Sequence, residues 1–225
     1  MRLLIVDDHP STATGLAALL GRETDIEVVG VAGDVEEALQ LVAELAPSML
    51  LCDVQLQGEP GGFEILRRVR DLPGRPAVVL FSSFDYPAFH QRALELGAAG
   101  YLSKTASVPD IVAALHGVAA GGTEFTASAL QAAAGAPRPP SDRELDLIRL
   151  IRSGHTNDEA SVRLGIGTRG VESSLRRLFA RYGVLSRTAL VTLAETQGWL
   201  ALTSPEPPEE RAGGRCMVVS RDRQR

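Results

Sequence analysis

One lysine and three aspartates carry the chemistry that this sequence suggests. Of the 23 basic side chains, 22 are arginine, and the exception is Lys104, which follows Gly100-Tyr101-Leu102-Ser103, a run typical of a short strand. An ammonium is a compact point charge on a slim stem, whereas a guanidinium is a broad planar fork. A chain so biased toward arginine keeps this ammonium either by accident or because a site needs its shape.

The three carboxylates follow two other apolar runs. Residues 2–6 end at Asp7 and Asp8, and residues 48–52 end at Asp53. Each run is typical of a buried parallel strand with acidic residues at its carboxyl end. In open α/β sheets these ends meet at one crevice, where ligands bind. We therefore expect the three acids and Lys104 to share one small site.

Carboxylates packed together repel one another, and a hard divalent cation relieves that repulsion. Mg²⁺ takes oxygen ligands and keeps several waters, so one or two carboxylates and a carbonyl suffice to hold it. The remaining carboxylate can then act as a nucleophile that forms an acyl phosphate. We assign that role to Asp53.

These residues resemble the receiver domain of two-component response regulators over about the first 125 residues. The matching positions, in order and spacing, are Asp7, Asp8, Asp53, Ser82, Tyr101 and Lys104. The resemblance implies a flavodoxin-like α/β fold, with a five-stranded parallel sheet and helices on both faces. It also implies that the protein is not an enzyme in the usual sense, since a receiver promotes only its own phosphorylation and dephosphorylation.

The resemblance assigns a role to each matched residue. Asp53 accepts a phosphoryl group from a sensor histidine kinase, and Lys104 neutralises the phosphoryl oxygens. Ser82 donates a hydrogen bond to one of them, while Tyr101 turns inward as part of a charge-driven switch. The implied ligands of Mg²⁺ are Asp7, Asp8, Asp53 and the main-chain carbonyl of Gln55.

Each residue taken singly has an ordinary interpretation. An aspartate after a strand is as often a turn former as a ligand. A serine that closes a strand, a half-buried strand tyrosine and a surface lysine are all common. Their joint occurrence in one alternating pattern of strands and helices favours the site. The loop after Asp53 departs from the family, because Gln57 stands where proline is usual.

Charge and composition divide the chain. Residues 1–140 hold 9 basic and 17 acidic side chains, whereas residues 141–200 hold 9 and 7, so an acidic part precedes a mildly basic one. Alanine, glycine and proline dominate 127–140, which is typical of a linker. We predict a receiver at 1–125, a linker at 126–140, a second domain at 141–202 and a disordered tail at 203–225.

The second domain is predicted to be small and all-α. Ser141 and Glu144 form a capping box for its first helix, Asn157 and Thr168 are candidate caps of the next two, and a fourth helix spans 187–196. A tight turn between the second and third helices gives a helix-turn-helix. Trp199 is expected to close the last helix onto this domain.

This segment resembles the LuxR-type output domain of NarL/FixJ-type regulators. The resemblance rests on, among others, Glu144, Gly154, Val171, Leu175 and the run Ser186-Arg187-Thr188. It implies that the helix from Thr168 reads the DNA major groove and that the protein forms a homodimer through the helix 187–196. The implied DNA contacts are Thr168, Arg169, Glu172, Ser173 and Arg176 in the groove, with Arg177 and Arg181 toward phosphates.

The chain departs from this family in the reading helix itself. Glu172 stands where a lysine is usual, Gly170 replaces threonine and Ser174 replaces histidine. A carboxylate repels phosphates, although it can accept a hydrogen bond from a cytosine amino group. Glycines at 165, 167 and 170 also weaken the start of the helix, by up to about 1 kcal/mol for one in its interior.

Two functions of different class follow. The first is a cytoplasmic transcription factor in which phosphorylation of Asp53 by a histidine kinase gates homodimerisation and DNA binding. The second is a signalling adaptor whose degenerate helix-turn-helix binds protein, or a regulator with little sequence-specific DNA binding. A phosphatase is a distant third, because Asp53-Val54-Gln55 lacks the Asp-x-Asp pattern of aspartyl-phosphate hydrolases. No apolar run is long enough to cross a bilayer, so we expect no membrane partner.

Overall fold

The computed structural model describes residues 1–202. They form two compact units. The first comprises Met1–Pro139 together with the residues from Glu195 onward, and the second comprises Pro140–Ala194. The predicted tail, 203–225, lies outside the described residues.

A five-stranded parallel sheet organises the first unit, as predicted. Its strand order is β2-β1-β3-β4-β5, and every neighbouring pair is parallel. All residues of the central strand β3 are buried, which explains its uninterrupted apolar sequence. The strands are β1 (Arg2–Val6), β2 (Glu27–Ala32), β3 (Met49–Asp53), β4 (Ala77–Ser82) and β5 (Gly100–Ser103).

Helices cover both faces of this sheet, so two separate cores form. Alternate residues of β1 and β3 enter opposite cores, as the two-residue period of a strand requires. Leu4 and Leu50 enter the core that contains residues of α2, α3 and α4, whereas Leu3 and Leu51 enter the core beneath α1 and α5. The helices are α1 (Pro10–Leu20), α2 (Val35–Leu45), α3 (Gly61–Val69), α4 (Pro87–Leu96) and α5 (Val108–Ala119).

Strand register sets the position of the candidate site. Val6 pairs with Cys52, so Asp7 follows directly beside the end of β3. Asp53 pairs with Phe81, and Ser82 pairs with Ser103. The carboxyl ends of four adjacent strands, β1, β3, β4 and β5, therefore lie side by side. The sequence pattern predicted that the strand ends meet at one edge of the sheet.

The predicted linker contains a helix, α6 (Ala127–Gly135). The Thr126 hydroxyl caps it by accepting a hydrogen bond from the Ala129 amide at 3.1 Å, and Ala129 and Ala133 are buried. Alanine has the highest helix propensity of any residue, which outweighs the glycine and proline content of the segment as a whole. Residues 136–140, where three prolines stand, are without helix.

Four helices form the second unit: α7 (Asp142–Arg152), α8 (Asn157–Leu164), α9 (Thr168–Tyr182) and α10 (Arg187–Thr196), the last of which extends two residues beyond it. The predicted capping box of Ser141 and Glu144 is present. Two predicted caps are shifted by one residue. Thr156 caps α8 instead of Asn157, because Thr156 forms a second capping box with Glu159. Gly167 occupies the cap position of α9, which therefore has no side-chain cap.

The last described residues form a 3-10 turn, Trp199–Ala201. They group with the first unit and not with the helical domain, contrary to the expectation for Trp199. Among residues 1–202, no helix combines the length and the apolar character that crossing a bilayer requires.

Candidate functional site

The three predicted carboxylates lie together at the carboxyl end of the sheet. Oxygens of Asp7, Asp8 and Asp53 and a ring nitrogen of His9 all lie within 4.8 Å of one another. Asp7 and Asp53 are buried, at 3% and 6% exposure, while Asp8 is partly exposed. Such crowding of acidic oxygens needs a positive partner.

Lys104 is that partner. Its ammonium donates to Asp53 Oδ2 at 2.6 Å and to Asp7 Oδ2 at 2.7 Å. Burial disfavours the charged amine, but the hydrogen bonds to the two carboxylates outweigh it and hold the pKa of Lys104 above its ordinary value. The Lys104 amide also donates to the Ser82 carbonyl at 2.8 Å, which fixes the backbone behind the ammonium.

Asp53 is held on both of its oxygens. Oδ2 faces Lys104, and Oδ1 accepts a hydrogen bond from the Gln55 amide at 3.1 Å. Burial raises the pKa of the Asp53 carboxyl above its ordinary 3.8, although the Lys104 and Gln55 contacts act in the opposite direction. A desolvated carboxylate oriented at both oxygens is suited to act as a nucleophile.

Asp8 has a partner that the sequence did not reveal. Its Oδ2 accepts a hydrogen bond from the Gln57 amide at 2.8 Å, and Gln57 adopts a left-handed φ of 56°. A proline at this position would have neither the N–H nor the conformation. The departure from the family noted in the sequence therefore places a donor over the acidic cluster.

The remaining Asp8 oxygen, Oδ1, is buried and accepts no hydrogen bond of good geometry, although it lies 2.8 Å from His9 Nδ1. A buried oxygen without a donor is costly unless a cation satisfies it. Together with the carboxylates of Asp7 and Asp53, it forms a set of hard oxygen donors that suits Mg²⁺.

The other two predicted switch residues are also buried: Ser82 is the last residue of β4, and Tyr101 is the second residue of β5. Both contact Phe84, which the sequence analysis did not single out. The Ser82 hydroxyl accepts a hydrogen bond from the Phe84 amide at 3.1 Å, and the Tyr101 hydroxyl donates to the Phe84 carbonyl at 2.7 Å. Burial raises the pKa of Tyr101, so its hydroxyl stays protonated and can donate.

The predicted DNA-contacting residues lie on α9, opposite its buried face. Val171, Leu175 and Leu178 pack inward. Most of the predicted contacts are exposed on the outer side: Arg169, Glu172, Ser173, Arg176, Arg177 and Arg181. A β-carbon added at Gly170 would meet nothing closer than 3.7 Å, so the glycine is not required by packing.

Two of the predicted DNA contacts are engaged within the helical unit. The Thr168 hydroxyl donates to Asp158 of α8 at 2.7 Å, which ties the start of α9 to the preceding helix. Arg181 donates to Glu144 of the α7 capping box at 3.0 Å. Desolvation opposes ionisation of Glu144, but its contacts with Ser141 and Arg181 lower its pKa below the ordinary 4.5. These two side chains therefore have structural partners already.

Comparison with known families divides the chain into the same two parts as the structure does. Residues 3–116 match the response regulator receiver domain, and residues 140–194 match the bacterial regulatory proteins of the luxR family. The chain belongs to the response regulators. Its helical unit is the LuxR-type DNA-binding domain of this regulator.

Two relatives of the regulator are transcriptional regulatory proteins, and each matches the chain along most of its own length. It is 30% identical over 203 residues to the transcriptional regulatory protein MctR of Rhizobium johnstonii, covering 88% of this chain and 94% of MctR. It is 33% identical over 181 residues to the transcriptional regulatory protein UhpA of Escherichia coli, covering 80% of this chain and 90% of UhpA.

A solved structure shares the fold. RcsB of Salmonella enterica serovar Typhimurium, bound to the promoter P1flhDC in the presence of a phosphomimetic, superimposes with a TM-score of 0.62. The sequences are 22% identical, and the match covers 87% of this chain and 98% of RcsB. Both the fold predicted from sequence and the assignment to the response regulators are confirmed.

Proposed function

We propose that Asp53 accepts a phosphoryl group from the phosphohistidine of a sensor kinase and that this modification controls the DNA-binding domain. In this step a bond forms between phosphorus and an Asp53 oxygen, and the bond between phosphorus and the histidine nitrogen breaks. The observation that carries the proposal is the clamp that Lys104 makes on Asp53 and Asp7. The ammonium is already placed where the charge of a phosphoryl group would develop.

Mg²⁺ fits the acidic cluster, and its proposed ligands are Asp7, Asp8, Asp53 and the Gln55 carbonyl. When bound, the cation offsets the negative charge of the incoming phosphoryl group. The chain contributes the orientation of the nucleophile, through the Gln55 amide and Lys104. Binding of the cation would satisfy Asp8 Oδ1, and the Gln57 amide on Asp8 Oδ2 would have to adjust.

Ser82, Tyr101 and Lys104 are the proposed sensors of the phosphoryl group. Lys104 would transfer its hydrogen bond from the Asp53 carboxylate to a phosphoryl oxygen. Ser82 would donate a hydrogen bond from its hydroxyl to another phosphoryl oxygen, which would disturb the contact of its oxygen with the Phe84 amide. Because Tyr101 donates to the carbonyl of the same Phe84, the change would reach β5.

The output of this switch is proposed to be homodimerisation and sequence-specific DNA binding. In this scheme the receiver occupies 1–125 and the DNA-binding domain 141–202, although the residues from Glu195 onward group with the receiver unit. Arg169, Glu172, Ser173 and Arg176 lie on the exposed face of α9 that would enter the major groove. A regulator of this kind acts in the cytoplasm, which holds the DNA. The names of MctR and UhpA, both transcriptional regulatory proteins, support this function.

The proposal is tested by enrichment of a random duplex DNA pool on the purified full-length protein. Beryllofluoride with Mg²⁺ mimics phosphorylated Asp53, and Asp53→Asn with the same reagents is the control. We expect a sequence with two half-sites, enriched mainly when beryllofluoride is present. The absence of enrichment in either state, from folded protein that binds beryllofluoride, would contradict the proposal.

One observation favours a second function. Glu172 lies exposed among the arginines of α9, while Thr168 and Arg181 are engaged with Asp158 and Glu144. Glu172 and the Arg181–Glu144 pair reduce the positive charge that α9 offers to phosphates, and the Thr168–Asp158 contact engages a hydroxyl donor. A signalling adaptor, in which the helix-turn-helix binds a protein, is the alternative that a failed enrichment would support.

A further inference from the structure

The residues that follow α10 pack on the receiver. We call Gln197–Leu202 the C-terminal strap. These residues belong to the same compact unit as the receiver. Ala201 and Leu202 pack against the core cluster that contains residues of α3 and α4. The Gln197 carbonyl accepts a hydrogen bond from the Ala88 amide at 3.2 Å, in the first turn of α4.

The closest approach is between Gly198 and Tyr86. A β-carbon added to Gly198 would lie 2.5 Å from Cβ and Cγ of Tyr86, closer than such atoms approach in proteins. Gly198 also has a φ of 77°, a conformation that side chains other than glycine rarely adopt. This contact therefore admits only glycine, and Trp199 beside it is completely buried.

The surface on which the strap lies is joined to the proposed phosphoryl sensors. Tyr86 stacks on Phe84, with ring centroids 5.5 Å apart and planes inclined by 17°. The backbone of Phe84 is held by Ser82 and Tyr101 through its amide and its carbonyl. A movement of Ser82 toward a phosphoryl group thus displaces the ring stack against which Gly198 packs.

The strap packs closely on the receiver, but one of its buried polar atoms lacks a hydrogen bond. The Gln197 side-chain oxygen is buried and has no hydrogen-bond partner among the described residues. An unsatisfied buried acceptor opposes seating of the strap, so the strap is held mainly by the packing of Gly198, Ala201 and Leu202 against the receiver. A displacement of Tyr86 would disturb this packing directly.

We infer that the C-terminal strap is an intramolecular ligand of the Tyr86–Ala88 surface and that phosphorylation of Asp53 releases it. The strap continues directly from α10, which is the proposed dimer helix. Seating of the strap restrains the end of α10, and its release frees α10 for dimerisation. This inference rests on the proposed function of Asp53 and adds the element through which the receiver acts.

The test uses Trp199, which is the single tryptophan of the chain. Its fluorescence and its quenching by acrylamide report whether the strap is seated. In full-length protein without beryllofluoride we expect blue-shifted emission and weak quenching. Mg²⁺ and beryllofluoride should red-shift the emission and increase the quenching constant several-fold, and Asp53→Asn should abolish that response.

Gly198→Ala should expose Trp199 without beryllofluoride, because the added methyl group meets Tyr86. Gly121→Ala is the matched control, since Gly121 has a φ of 90° but nothing within 4 Å of an added β-carbon. It carries a similar backbone strain and should leave quenching as in the wild type. Tyr86→Ala is a second variant, which removes the ring under Gly198 and should raise quenching in the same direction. Sedimentation velocity should show more dimer for Gly198→Ala than for Gly121→Ala.

Two outcomes separate this inference from the proposed function. If beryllofluoride promotes DNA binding but leaves Trp199 quenching unchanged, the strap is a permanent part of the receiver and the inference is wrong. If Trp199 responds to beryllofluoride but no DNA sequence is enriched, the release of the strap stands and the DNA-binding proposal fails.

Discussion

The Lys104 ammonium donates a 2.6 Å hydrogen bond to the Asp53 carboxylate, from a position 51 residues later in the chain. The same ammonium reaches Asp7 at 2.7 Å. Lys104 therefore neutralises the proposed nucleophile, Asp53, and a proposed metal ligand, Asp7, at once. Lys104 contacts carboxylate oxygens that a bound cation would also need, so we expect metal binding and the lysine contact to compete for the same carboxylates.

Lys104→Met should destabilise the metal-free protein and increase its stabilisation by Mg²⁺. Loss of the ammonium leaves Asp7 and Asp53 buried without a cation, which costs about 3 kcal/mol for a buried pair. Thermal unfolding with and without saturating Mg²⁺ measures both effects. Arg22→Met removes an exposed cation and is the control, with little change expected. An equal response of wild type and Lys104→Met to Mg²⁺ would contradict competition at this site.

Asp53→Asn should stabilise the unphosphorylated protein at neutral pH. Burial raises the pKa of Asp53 above 3.8, so the folded state binds the proton more tightly than the unfolded state does. The stability that this group contributes is greatest below pH 3.8 and is lost as the pH rises through the raised, folded-state pKa. The neutral amide of asparagine avoids that loss.

Urea unfolding of wild type and Asp53→Asn at neutral pH and near pH 4 checks this sign. The difference should be largest at neutral pH and shrink as the pH falls. Asp71→Asn, which alters a carboxylate with 79% of its side chain exposed, is the control and should show no comparable gain. An asparagine variant no more stable than wild type at neutral pH would show that Lys104 outweighs the burial of Asp53.

The fold and the grouping of the acidic residues could be predicted because both depend on local patterns. The structure gives α10 the predicted bounds, Arg187–Thr196, and the Ser186 hydroxyl accepts a hydrogen bond from the Ala189 amide at the start of this helix. The strand ends meet because parallel register follows from the alternation of strands and helices.

Other features depend on contacts distant in sequence and could not be predicted. The Gln57 amide reaches Asp8 across 49 residues, and the strap, which follows the DNA-binding domain in sequence, packs on Tyr86. The clearest local signal for the strap is a glycine followed by the apolar run Trp199 to Leu202, which sequence analysis assigned to the wrong unit. α6 was missed because its alanines were read together with the prolines that follow.

Arg176→Ala and Arg181→Ala should affect the DNA-binding domain in different ways. Arg176 is exposed on α9, so its loss should weaken DNA binding and leave stability unchanged. Arg181 pairs with Glu144, whose side chain is 16% exposed. Loss of the arginine should therefore lower the free energy of unfolding by up to about 1 kcal/mol. Chemical denaturation and DNA titration at several salt concentrations separate the two effects.

If Arg176 contacts a phosphate, its alanine variant should reduce the salt slope by about 1. An unchanged slope with lower affinity would place it on a base, and unchanged affinity would remove it from the interface.

Glu172→Lys should strengthen DNA binding if α9 reads the major groove. The substitution exchanges a carboxylate that repels phosphates for an ammonium, on an exposed position of the helix. One added phosphate contact should steepen the salt dependence of the binding constant by about 0.9 in logarithmic slope.

Glu172→Gln is the matched control, because it removes the charge without adding a cation. If Glu172 accepts a hydrogen bond from a cytosine amino group, Glu172→Gln should change the preferred base at one position of each half-site. Binding of the enriched DNA that is the same for all three proteins would place Glu172 outside the interface. No DNA binding by any of them would favour the adaptor, in which the outer face of α9 contacts protein.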